Sequence, residues 1–121
     1  MRQGVLVCCM LLGAAAVSAQ STGDEAQLQA LRAEILKMIG QAPCANLVHC
    51  RVLPLGVRPC GGPDEYLAYN GVLTDRAALE NKALDYALIQ EDLLRAKSVA
   101  GPCVVLPEPR LSCREGRCRV D

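Results

Sequence analysis

The sequence predicts an α+β domain: a small antiparallel sheet with one long helix packed on it, an N-terminal amphipathic helix, and disulfide bridges. Three observations carry this. Residues 76–98 repeat apolar side chains at helical spacing. Two short β-rich runs are bounded by Pro, Gly and Asn-Gly pairs. Six cysteines follow residue 43, an even number in a short chain. The 121 residues suit one domain, and 51% hydrophobic content excludes a disordered tail. Formal net charge is +0 and the only aromatics are three Tyr. There is thus no basic field for phosphates and no stacking platform for bases, which argues against a nucleic-acid partner.

Residues 1–19 read as a removable leader. Arg2 supplies a positive start, residues 4–16 an uncharged apolar core, and Val17-Ser18-Ala19 the small residues a signal peptidase reads. That core is shorter than the ~20 residues a membrane-spanning helix needs. Cys8 and Cys9 lie inside the core and Val7 precedes them, which disfavours a lipid-modified cysteine. Cleavage before Gln20 is expected, giving a periplasmic or secreted protein without a transmembrane segment. The remaining chain divides into a helix and linker (20–43) and a disulfide-stabilised domain (44–121).

Thr22 and Glu25 match a capping box, and Leu28, Leu31, Ile35 and Met38/Ile39 recur at helical spacing before Gly40. A helix over 24–39 is expected. Residues 47–53 read as a strand bounded by Pro54, and 65–69 as a second strand closed by Asn70-Gly71. Asp75 is placed to cap the long helix. Its apolar stripe comprises Leu79, Ala83, Tyr86, Ala87, Leu93 and Leu94, with Leu84 and Leu88 as a second line toward another neighbour. Gly101-Pro102 stops it. Residues 103–106 (CVVL) read as a buried strand, and 110–120 as a hairpin turning at Glu115-Gly116. No internal repeat is present.

Cys44, Cys50, Cys60, Cys103, Cys113 and Cys118 read as three disulfides, and neither C-x5-C nor C-x4-C is a zinc spacing. A two-residue turn at 115–116 makes Cys113 and Cys118 direct cross-strand neighbours, within reach of a bridge. Cys44–Cys50 and Cys60–Cys103 then complete the set most simply. The competing arrangement ties Cys44 and Cys50 to the C-terminal hairpin.

Catalytic parts are scarce. The one histidine, His49, adjoins Cys50, and neighbours on a strand point to opposite faces. Asp64/Glu65 and Glu91/Asp92 are sequence neighbours that diverge, unlike the converging carboxylates of a hydrolase. No nucleophile elbow, phosphate loop or calcium loop occurs. The chain is therefore read as non-enzymatic, with no cofactor and no metal. Arg110, Arg114, Arg117 and Arg119 read as a charged hairpin edge that discourages strand addition.

The most unusual stretch is Pro59-Cys60-Gly61-Gly62-Pro63, a rigid, cysteine-anchored loop. Rigid loops reduce the entropy cost of binding, so Arg58, Asp64, Glu65 and Tyr66 around it are the candidate binding residues. The segment CGGPDEYLAY, with Cys50 before it and Cys113-x4-Cys118 after it, resembles an uncharacterised group of small exported bacterial proteins. The resemblance implies export and disulfides and carries over no activity or site. The function expected is a binding or interaction module of the bacterial envelope or secretome, its partner another protein or an envelope component. An inhibitor of a peptidase or lysozyme-like enzyme is the alternative, and a small envelope hydrolase a further one.

Overall fold

A computed structural model of the chain describes residues 18–98, 101 and 103–121. The expected leader lies outside these residues except for Ser18 and Ala19, as do residues 99, 100 and 102 near the expected stop of the long helix.

The fold is α+β, with two helices and two two-stranded antiparallel sheets. Helix α1 (Ser18–Ile39) starts earlier than the expected 24, so Thr22 lies inside it rather than at its cap. Residues 18–22 contain no proline to stop the helix from extending toward its N-terminus. The stripe behaves as expected: Ile35 and Ile39 are buried, and Leu28, Leu31 and Met38 pack against the core. Gly40, at φ +58°, ends the helix with its N–H on Leu36 O at 2.9 Å.

Strand β1 (Cys50–Leu55) pairs with β2 (Glu65–Asn70) in the register Cys50↔Asn70 to Leu55↔Glu65. Residues 47–49, expected in the strand, form a 3-10 turn instead. Asn46 caps it by accepting from Val48 N at 3.1 Å. Pro54, expected as a boundary, is inside β1. Gly71 N bonds His49 O, which makes 49↔71 a hydrogen-bonded pair. Even-numbered residues of β1 therefore point their N–H groups away from β2, and Pro54 forfeits no ladder bond.

Alternation places Leu53 and Leu55 on one face of the ribbon and Cys50, Val52 and Pro54 on the other. The first face is covered by the helices. Helix α2 (Arg76–Ala96) is capped by Asp75, whose side chain accepts from Ala78 N at 3.1 Å. It buries Leu79, Ala83, Tyr86 and Leu93. Ion pairs Lys82–Glu34 and Lys97–Glu25 align α2 antiparallel to α1. Helix α2 has two neighbours, α1 and β1, although the second apolar line stays partly open, with Leu84 58% and Leu88 53% exposed.

The second face carries the C-terminal hairpin, β3 (Leu111–Arg114) and β4 (Arg117–Val120). Glu115 (φ +55°) and Gly116 (φ +74°) form its turn, and Cys113 does face Cys118. These two are not bonded to each other. The bridges are Cys44–Cys113, Cys50–Cys118 and Cys60–Cys103. Cross-strand neighbours share one face, and here both turn toward residues 42–50, where Cys44 and Cys50 meet them. The competing arrangement is the one adopted. Residues 42–44 also line the edge of β4, with Cys44 N on Gly116 O at 2.9 Å and Cys118 N on Ala42 O at 2.7 Å. That edge, expected to be guarded by arginine charge, is thus covered by backbone. Arg114 and Arg119 instead pair with Asp121 (2.6 Å) and Glu115 (3.1 Å).

Residues 103–106 are not a buried strand. Val104 and Val105 are 56% and 66% exposed, and no backbone ladder forms there among the described residues. The hairpin already occupies the ribbon face, leaving this segment to be held by side chains. No helix among the described residues is long and apolar enough to cross a membrane.

Candidate functional site

The β1–β2 connection, residues 56–64, is braced at every turn. Gly56 takes φ +75°, closed to most side chains, and lets the Gln90 side chain of α2 pass over it. Gln90 Oε1 accepts from Val57 N at 2.7 Å. Within the loop, Arg58 N bonds Gly62 O and Gly61 N bonds Arg58 O, both at 2.9 Å. Gly61 (φ +91°) and Gly62 (φ +76°) permit this tight reversal. Cys60 is bonded to Cys103, and Arg58 Nη1 donates to Val104 O at 3.2 Å. Asp64 N on Leu55 O (3.0 Å) closes the base.

Pro59, Cys60, Gly61 and Gly62 are exposed despite these ties. Beneath them the loop and the C-terminal end of α2 enclose an open cavity of about 330 Å3, lined by Val57, Pro59 and Leu94 and by Arg58, Arg95 and Glu91. Its wall mixes apolar and charged side chains. Arg95 already holds Glu91 at 2.6 Å and Asp92 at 3.9 Å.

The four candidate binding residues do not form one patch. Arg58 and Asp64 stay together, Nε to Oδ1 at 4.0 Å, at the base of the loop. Glu65 and Tyr66 leave on opposite faces of the ribbon. Glu65 pairs with Arg32 of α1. That hydrogen bond, reinforced by the charge of Glu65 and by Tyr86 and opposed by burial, holds the Arg32 guanidinium above its ordinary pKa. The Tyr66 hydroxyl donates to Leu106 O at 3.2 Å. Glu65 fastens α1 to the sheet, while Tyr66 and Arg58 fasten residues 104–106.

Gln90 is the residue that sequence reasoning passed over. It sits four residues after Tyr86 and seven after Ala83, in the middle of the apolar stripe. A polar side chain at such a position is a signal that a backbone group needs a partner. Asn70 is a second case, read only as half of a turn pair. It is buried, donates to Pro43 O at 2.7 Å, and accepts from Val72 N and Leu73 N at 2.8 and 3.1 Å.

Cys50 is bridged as expected, but His49 does not lie on a strand. His49 belongs to the 3-10 turn, so strand alternation does not separate them; the Cys50 sulfur is instead engaged with Cys118. No protein-family model, no curated protein and no solved structure matches this chain.

Proposed function

We propose that this protein is an exported, non-enzymatic binding domain of the cell envelope or secretome, released from its leader before Gln20. Its recognition element is the 56–64 loop, with Arg58 and Asp64 at the base and the cavity against α2 alongside. The observation that supports this reading is the bracing itself. Residues 59–62 are exposed, yet they are held by a disulfide and two internal backbone bonds, with the Gln90 strut fixing Val57 just before them. A loop already fixed in one conformation loses little entropy when a partner closes on it. Three bridges suit an oxidising compartment.

A photo-crosslinking amino acid placed at position 61 in the exporting cell tests the reading. A control at Asn81, exposed on α2 away from the loop, completes it. A discrete adduct from position 61 and none from position 81 is the expected outcome. Equal labelling from both positions, or none from position 61, removes the loop as a recognition element. Adducts identified as a peptidase or a lysozyme-like enzyme direct the reading to inhibition.

A further inference from the structure

Two bridges, Cys44–Cys113 and Cys50–Cys118, converge at one place. The sulfurs of Cys44, Cys50 and Cys113 all lie within 4.8 Å of one another, although Cys50 belongs to a different bridge from the other two. Burial divides the bridges: Cys50 and Cys118 are 2% and 6% exposed, while Cys44 and Cys113 are half-buried. Cys44 lines an open groove of about 320 Å3 together with Pro43, His49, Val72 and Leu73. Val72 and Leu73 at its rim are each 70% exposed. An accessible disulfide therefore lies on an aliphatic groove, with a buried disulfide directly behind it.

We propose that this cluster is a thiol–disulfide exchange site that takes electrons from a dithiol, as carried by a protein dithiol oxidoreductase. It would pass them from the outer bridge to the inner one. The dithiol attacks Cys44–Cys113; its two sulfurs become a disulfide, and Cys44 and Cys113 become thiols. One of these, as thiolate, attacks the Cys50 sulfur. A new bond to Cys50 forms, the Cys50–Cys118 bond breaks, and Cys118 leaves as a thiolate that takes up the released proton. The protein holds two thiols before and after this second step, so the relay is redox-neutral within the chain. Exchange through a mixed or neighbouring disulfide needs an attacking sulfur close to the bridge, and the cluster supplies it. Cys60–Cys103 supplies the internal control: both its residues are exposed, and it belongs to no such cluster among the described residues.

The test treats the oxidised protein with one equivalent of dithiothreitol under native conditions. The reaction is quenched in acid at intervals, free thiols are alkylated, and labelled cysteines are located by peptide mapping. The expected result is label first on Cys44 and Cys113, then on Cys118 while Cys50 remains bridged. Cys60 and Cys103 are labelled together or not at all. Label confined to Cys44 and Cys113 overturns the relay, as does label on Cys50 and Cys118 always together. Mixed pairings that include Cys60 or Cys103 indicate exchange through unfolding and also overturn it. A Cys50→Ala/Cys118→Ala variant should lose the second stage while keeping the first. Should that variant fail to fold, the time course on the wild-type chain still decides.

Discussion

Replacing Gly56 with alanine tests the strut that positions the loop. At φ +75°, a Cβ costs about 1–2 kcal/mol from backbone strain alone. The added carbon would also collide with Gln90 Oε1 and sit 3.1 Å from Asp64 Cβ. Gln90 must then withdraw from Val57 N, which is half-buried. Losing that bond and leaving the donor unpaired adds about 1–2 kcal/mol. The total expected for Gly56→Ala is about 2–4 kcal/mol, read from urea unfolding with the disulfides intact. Gln90→Ala alone should cost only the second part, about 1–2 kcal/mol. The double variant should be no worse than Gly56→Ala, because the collision and the lost bond are counted once. The coupling should be about 1–2 kcal/mol, well beyond the tolerance for independent sites. A Gly56→Ala cost below about 0.5 kcal/mol, or costs that simply add, would mean that Gln90 does not brace the loop across Gly56.

Three further outcomes follow from single contacts. Glu115→Asn should raise the midpoint of thermal unfolding. The turn needs positive φ at both central residues, which asparagine adopts at less cost than glutamate, a gain of about 0.5–1 kcal/mol against an exposed ion pair worth little. Asn70→Asp should cost about 2 kcal/mol at neutral pH, because a carboxylate oxygen would replace the donor to Pro43 O. That loss should shrink at acid pH, where the protonated carboxyl can again donate to Pro43 O; a pH series of unfolding midpoints reads the sign. Tyr66→Phe should cost about 1 kcal/mol in urea unfolding, because it removes the hydroxyl that donates to the Leu106 carbonyl.

What the sequence revealed and what it hid divide along local and non-local lines. Asp75 as a cap, Gly40 as a stop, the α2 stripe and the Glu115-Gly116 register depend on neighbours a few residues apart, and each is found where expected. The disulfide pairing depends on which layer lies over the ribbon. Cys113 facing Cys118 was legible; that both would turn toward residues 42–50 was not. Residues 103–106 carry β-rich side chains, but no open ladder receives them, so a local preference is overruled by topology. The candidate site was legible as a loop, through its glycines, prolines and cysteine. Its charged neighbours were not legible as a group, because adjacent residues at the start of β2 leave on opposite faces. Gln90 joins the site from 33 residues away, and only its place on an apolar stripe pointed to it.

The fold rests on cysteines that tie the C-terminal hairpin to residues 44–50 and anchor the 56–64 loop to residue 103. Non-reducing peptide mapping of the protein purified from its host cell, with its intact mass before and after reduction, is the decisive measurement. The expected result is a chain beginning at Gln20, no free thiol, and the pairs Cys44–Cys113, Cys50–Cys118 and Cys60–Cys103. A Cys113–Cys118 bond, or free thiols at Cys60 and Cys103, would contradict it, since the hairpin would lose its tether or the loop its anchor.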